Sequence, residues 1–495
     1  MAGIGFELKK IFKDNGNILN TLKGYSVTAV VTEGPMILTM LMLFLIRYLM
    51  KAYHATYKEQ EIFLFMITYV LIFSLILSNT VLMLINRFIS DCIYNDEMED
   101  VLPSFFGIIF LVLLVGGPLA WIYVSTLPVS WAFRISAVVQ FCSMLVLWIQ
   151  MAYLSAIKQY TYVLLGFLAG TISSVGLTAV LLWIGTDKLL AAMWGAALGF
   201  LVMMVLFMTQ LIAYYPMGKF RLFGYFTALD HYGSLVATGF FMALGLYAHN
   251  FVYWCSEFRN HIFPTGVYCT RYDIPAFFAT LTILPMLVQF VVSLETRFCT
   301  KNRLYFDTIL YGGRLADIQA AKRDMEKTLY RELAHMMETQ LIFTVLSVTV
   351  IGNVLRTAGL DEEMIGIYRI LCFGYCIYGL MKCLIIILLY FDDRVGACIG
   401  AGMFAAASTL LSVLSLPLDT SSWGIGFLGA GVLTAVFVML RLKHYLERLE
   451  YHVFCEQPLF VVEKKGAFQR MEEYFDKAEE EFKEKSRERV KNHEK

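Results

Sequence analysis

Twelve runs of apolar residues, each about as long as a bilayer is thick, divide this chain and leave it few folds. The first is Gly24–Leu49. The others lie near 62–85, 101–125, 129–151, 161–184, 189–215, 231–254, 273–297, 339–356, 365–391, 395–417 and 423–443. Roughly 20 apolar residues span about 30 Å of hydrocarbon. Lipid gives backbone groups no hydrogen bonds, so only helices and closed barrels cross it. These runs are too long and too uniformly apolar for barrel strands, which alternate. The sequence therefore predicts an all-α polytopic membrane protein of about 12 transmembrane helices. Composition agrees: 58% of residues are hydrophobic and 16% charged, where a soluble chain carries about a quarter charged. The formal net charge is zero, so nothing draws the chain as a whole to nucleic acid. The first run lacks a small-residue cleavage site and is expected to stay in the membrane.

Lys and Arg cluster before span 1 (Lys9, Lys10, Lys13, Lys23), between spans 8 and 9 (Lys301 to Arg331) and after span 12 (Arg441, Lys443, Arg448). The positive-inside rule then puts both termini in the cytoplasm, which requires an even number of spans. A weak internal repeat accompanies the even count. Asn86-Arg87-Phe88 ends span 2 and Thr296-Arg297-Phe298 ends span 8; Arg134 begins span 4 and Arg369 lies early in span 10. These pairs lay spans 1–6 over spans 7–12 as two pseudo-symmetric six-helix lobes sharing one orientation. The expected parts are an amphipathic segment 1–23, an N-lobe 24–215, a C-lobe 231–443 and a tail 444–495. Segment 299–335 is read as an inserted cytoplasmic helix pair broken at Gly312-Gly313. Phe468, Met471, Phe475, Ala478 and Phe482 form an apolar stripe in the charged tail; it suits either a partner helix or the chain's own loops.

Ionisable groups at membrane depth are costly and usually functional. Glu33, Gly34 and Pro35 interrupt span 1. Pro35 removes a donor and frees carbonyls beside a carboxylate, so this helix reads as lining a path and not facing lipid. Glu33 is a candidate to titrate or pair, with Lys382 of span 10 as its partner; the alternative is a protonated carboxyl bonding the freed carbonyls. Arg134 and Arg369 suit structural roles at the interface, or a symmetric vestibule. Asn79, Gln140, Gln150, Gln289 and Asn353 suit interhelical hydrogen bonds. Together with Tyr247, His249, Asn250, Tyr253 and Trp254 on span 7 they would also fit a neutral, hydroxyl-rich ligand, although an interfacial aromatic belt explains Tyr253 and Trp254 as well. Cys255 and Cys269 share one predicted outer loop, with a disulfide or two free thiols both open. No phosphate loop, HExxH or GxSxG is present, so no catalytic residue, metal or cofactor is expected. Asp392-Asp393 reads as a helix terminator before a nucleotide-binding pair.

Several stretches resemble one family. MAGIGFELKKIF at the start, the Gly34-Pro35 break, NRFISDCIY at 86–94, YDIPAFF and LETRF within 272–298, LLYFDDR at 388–394 and WGIGFLGAG at 423–431 are similar to the PelG family. These are Pel exopolysaccharide transporters of the multidrug/oligosaccharidyl-lipid/polysaccharide exporter superfamily. The resemblance implies two six-helix lobes around a cavity that opens alternately to either side. It implies export of a polymer rich in N-acetylated hexosamine across the cytoplasmic membrane. The implied partners are a cytoplasmic Pel glycosyltransferase, membrane Pel scaffold proteins, the growing polysaccharide and the lipid bilayer, with no nucleic acid. A charged pair in span 7 belongs to that pattern; here its place is taken by His249-Asn250, which puts a shared charge mechanism there in doubt. The rivals are a cation-coupled drug or lipid-linked-oligosaccharide antiporter, and a membrane glycosyltransferase subunit using Asp392 and Asp393.

Overall fold

The computed structural model describes residues 34, 37–157, 160–216, 222–357, 359–455, 466, 468 and 470. Glu33, Pro35 and the stripe from Met471 onward lie outside these residues. Eleven helical segments within them are long and apolar enough to cross a membrane. A further helix, residues 37–52, occupies the second half of the first apolar run, which makes about twelve.

In chain order these are α1 (37–52), α2 (Tyr57–Tyr94), α3 (Val101–Ser125), α4 (Trp131–Ile157), α5 (Tyr160–Trp183) and α6 (Lys188–Tyr214). Then come α7 (Tyr225–Tyr253), a two-stranded hairpin of β1 (Asn260–Phe263) and β2 (Gly266–Tyr268), and the broken span α8 (Thr270–Leu281) and α9 (Leu284–Val292). A π-helical turn Ser293–Phe298 leads into α10 (Cys299–Leu310), which turns back at Gly312 into the long α11 (Leu315–Leu346). The short α12 (Gly352–Thr357), α13 (Glu362–Tyr390), α14 (Arg394–Ser415), α15 (Ile425–Glu447) and α16 (Leu449–Phe454) complete it.

Helix starts follow local chemistry. Thr56 and Glu59 form a reciprocal capping box on α2, and the Asp187 carboxylate accepts from the Leu189 and Leu190 amides at the start of α6. Both satisfy donors that a helix start leaves open. Outward faces stay apolar: Phe110, Leu114, Ile172, Leu414 and Leu440 are exposed, as a lipid-facing surface requires.

The helices pack as two groups with one pattern. In the first, α4 packs on α2, α3 and α6, and α6 packs on α5. In the second, α13 packs on α8, α11 and α15, and α15 packs on α14. The contact of α1 with α5, where Thr171 Oγ1 donates to the Leu38 carbonyl at 3.4 Å, has its counterpart in α7 against α14. Small residues permit the closest approaches. A Cβ on Gly195 of α6 would collide with Thr178 Oγ1, and one on Gly199 would sit 2.6 Å from the Ser174 Cβ. Without a hydrophobic drive between helices in lipid, such contacts and interhelical hydrogen bonds carry association. Gln140 and Gln150 supply two, donating to the Met193 and Met204 carbonyls of α6 at 2.6 and 3.0 Å.

The eighth span is discontinuous, and its break is repaired from outside. Between α8 and α9 the Thr282 carbonyl accepts from Gln340 Nε2 at 2.7 Å, and Gln340 Oε1 accepts from the Met286 amide at 3.1 Å. One buried amide side chain thus replaces the helical bond in both directions. Broken helices survive at membrane depth only where freed backbone groups find such partners.

Candidate functional site

The two groups meet along α2 and α7. Midway the backbones touch: a Cβ on Gly239 of α7 would collide with the Asn79 carbonyl oxygen of α2. The Asn79 side chain itself donates to the Leu75 carbonyl at 2.8 Å. Toward either end of this seam the contacts differ in kind.

At the β-hairpin end the seam is aromatic. Tyr69 of α2 stacks on Trp254 with ring centroids 5.1 Å apart and planes 3° from parallel, and Tyr123 of α3 stacks on its other side at 5.6 Å. Phe73 stacks on Phe251 at 5.7 Å. The hairpin folds over this stack from the second group. Tyr69 donates to the Val267 carbonyl at 2.6 Å, Tyr268 to Glu61 at 3.1 Å, and Phe65 touches the Phe263 and Tyr268 rings. Thr126 and Thr265 hydroxyls meet at 3.0 Å.

Behind Trp254 lies a half-buried carboxylate, Asp273, in the first turn of α8. It accepts from Trp254 Nε1 at 2.9 Å, Asn250 Nδ2 at 2.9 Å and the Cys269 amide at 3.0 Å. Three donors converge on one charge, and charge-assisted bonds of this kind are roughly twice as strong as neutral ones. Asp273 thereby fixes the ring that closes the seam. Burial, with the Asp273 charge adding to it, pushes the Cys269 thiol up to about 11. Cys255 and Cys269 are both free thiols, the first exposed and the second buried.

At the opposite end the seam is cationic. Arg87 of α2 lies 5.0 Å from the centroid of the Tyr232 ring of α7, and its Nη2 donates to Tyr232 Oη at 3.3 Å. Arg394, at the start of α14, lies 5.0 Å from the same ring and donates to the His231 carbonyl at 2.8 Å. Each guanidinium also has a carboxylate on its own helix or turn: Asp91 at 3.1 Å for Arg87, Asp392 at 3.2 Å for Arg394.

The residues singled out from sequence fall in several places. Gly34 is buried, and Lys382 is half-buried on α13. His249 lies in the second group with Nδ1 2.7 Å from the Tyr272 hydroxyl. Tyr253 Oη pairs with Ser415 Oγ at 2.7 Å and accepts from the Gly424 amide at 3.1 Å. Gln289 is buried, and Tyr247 is half-buried. Thus Asn250 and Trp254 join one cluster through Asp273, and His249 and Tyr253 pack beside it around Tyr272. Arg134 donates to the Leu127 carbonyl at 2.9 Å and covers Trp131, tying a turn to its own helix, while Arg369 and Asn353 are exposed. Arg134 and Arg369 are therefore not equivalently placed. Asp393 accepts from Arg441 at 2.7 and 3.0 Å and caps α14 through the Gly396 amide, which leaves its oxygens engaged in structure. Asp273 went unnoticed as a site, although its signal is local: a lone carboxylate inside an apolar run, two residues before Pro275. Among the described residues no cluster of three His, Cys, Asp or Glu is placed to hold a metal.

The PelG exopolysaccharide exporter family matches residues 1–454. The chain belongs to this family. Solved structures similar to the exporter show the fold. A multidrug resistance MATE family transporter in an outward-facing conformation superposes with a TM-score of 0.60 at 10% identity, over 90% of this chain and 98% of that one. The lipid II flippase MurJ in an inward closed conformation gives 0.54 at 13% identity, over 84% and 90%. A transporter of the MOP superfamily from Pyrococcus furiosus gives 0.54 at 10%, over 90% and 98%. No curated protein matches the exporter in sequence. The family marks it as a multi-pass membrane transporter, and its fold is the one shared by these MOP superfamily structures.

Proposed function

We propose that this chain exports a Pel-type polysaccharide rich in N-acetylated hexosamine, by opening the α2–α7 seam alternately at its two ends. The observation that carries the reading is the build of that seam. Both closures are made of side-chain contacts that can part without breaking a backbone–backbone hydrogen bond, and the rings exposed on parting would stack on sugar faces while hydroxyls and amides bond the sugar hydroxyls. Lys301, Arg303, Lys322 and Arg331 lie on α10 and α11, so the positive-inside rule assigns that end to the cytoplasm and the β-hairpin end to the outside. The polymer would then arrive from a cytoplasmic Pel glycosyltransferase near α10–α11, with membrane Pel scaffold proteins around it, in the cytoplasmic membrane. Glu33 and Lys382 remain candidates for the path, testable by asking whether export persists across pH in Glu33→Gln.

The deciding experiment deletes the gene in cells with and without the glycosyltransferase that makes the polymer, and locates the polymer. Intracellular accumulation that depends on the synthase supports export. Normal external polymer in the deletion strain overturns it.

A further inference from the structure

Gln340 of α11 does more than cover a break. In a regular helix the Met286 amide would donate to the Thr282 carbonyl, four residues back. Here the Gln340 side chain stands between them: its Nε2 donates to the Thr282 carbonyl at 2.7 Å, and its Oε1 accepts from the Met286 amide at 3.1 Å. Pro285 explains the gap. It offers the Leu281 carbonyl no donor, and its ring crowds that carbonyl. The backbone beside it tightens to three-residue bonds, from Thr282 to Ala279 and from Ile283 to Thr280. A side chain inserted into the ladder is one of the few causes of a sharp helix kink.

The insertion can be undone without stranding a polar group. With Gln340 withdrawn, the Met286 amide and the Thr282 carbonyl can pair with each other, and Met286 already shares its amide with the Ile283 carbonyl at 3.0 Å. Gln340 Nε2 already reaches Thr344 Oγ1 at 3.3 Å, a hydroxyl that can donate or accept. Gln340, Thr344 and Met286 are fully buried, so water does not compete for these groups. Two satisfied arrangements make a two-state element.

The two halves of the span are also held differently. α9 is tied to α11 at its start by Gln340 and beyond its end by Arg297, whose Nη1 donates to Glu332 at 2.9 Å. α8 packs on α7 and α13, and its first turn carries Asp273. Asp273 lies nine residues before Thr282, about 13 Å along the helix. A bend change of about 20° at the break moves it by about 5 Å. Bonds of 2.9 Å to Trp254 and Asn250 do not survive such a shift.

We propose that Gln340 is a positioning residue for the outer closure. Inserted, it bends the eighth span so that α8 holds Asp273 against Trp254; withdrawn, it lets the span straighten and the aromatic seal part. This deepens the alternating opening proposed above and rests on it.

The test is the rate at which a maleimide modifies Cys269, read on its own peptide by mass spectrometry. It uses the purified full-length protein with no polymer present, and thermal unfolding is measured beside it. Gln340→Leu removes both bonds and keeps the bulk. Pro285→Ala restores the missing donor and lets the ladder close past Gln340. Each is expected to speed Cys269 labelling about fivefold, the population shift of one net hydrogen bond. Gln150→Leu removes a buried interhelical amide bond of the same kind from α4. It is expected to lower the unfolding temperature and leave Cys269 at the parental rate, as a merely structural Gln340 would. Should Gln340→Leu fail to fold, Pro285→Ala decides alone. If either variant that folds labels at the parental rate, or if Gln150→Leu speeds labelling as much, the positioning role is wrong, whether or not the protein exports polymer. If labelling speeds as expected while the deletion strain exports normally, the positioning role stands and the export reading falls.

Discussion

The two ends of the α2–α7 seam are closed by different physics. At the β-hairpin end four ring pairs cross between the groups: Phe65–Phe263, Phe65–Tyr268, Tyr69–Trp254 and Phe73–Phe251. At about 0.5–1.5 kcal/mol each beyond area burial, they hold about 2–6 kcal/mol. Two phenolic hydrogen bonds, from Tyr69 and Tyr268, add to this. At the other end one cation–π contact and one long hydrogen bond join α2 to α7. Arg87 is 43% exposed, so solvent and salt screen its charge, and the pair is worth about 1–2 kcal/mol. The cationic end is the easier to open. An exporter that loads from that side needs this order: the exit stays sealed while the entrance yields.

The comparison breaks first at Asp273. Asp273→Ala strands the Trp254, Asn250 and Cys269 donors, each costing about 1–3 kcal/mol when buried without a partner. A clear drop in thermal unfolding temperature is expected, with a smaller drop for Asp273→Asn, which keeps an acceptor. Trp254→Ala comes next, at about 3 kcal/mol for a deleted buried aromatic. Here the expected readout is labelling of Cys269 by a membrane-impermeant maleimide, slow in the parent because the thiol is buried and held protonated. Faster labelling marks the aromatic seal as the barrier; unchanged labelling removes it from that role. Arg87→Gln should cost about 1–2 kcal/mol and leave Cys269 labelling unchanged, since it loosens only the far end. Should both variants expose Cys269 alike, the ends are not independent. The smallest effect belongs to Arg369→Gln, an exposed side chain, expected within about 0.5 kcal/mol of the parent in thermal unfolding.

Much of the architecture was legible in the chain. Span number and span positions follow from run length, because burying backbone in lipid forces a helix of a minimum size. The break in the eighth span was less legible: Pro275 and Pro285 were visible, yet α8 runs through Pro275, and the repair of the break after Leu281 by Gln340 was not foreseen. The aromatic end of the seam was legible only in part. His249, Asn250, Tyr253 and Trp254 stood out as polar and aromatic residues on one span, but the carboxylate that organises two of them lies 19 residues beyond Trp254, across a hairpin.

The sequence alone settled the solvent this protein folds in, roughly how many times it crosses, and the family it resembles. Hydropathy and motif identity are local properties, summed over neighbours in the chain. The tertiary structure decided what closes the seam. Tyr69 reaches Val267 across 198 residues, and Arg87 reaches Tyr232 across 145. No pattern within either segment encodes the other, because such contacts exist only once two helices have been brought side by side.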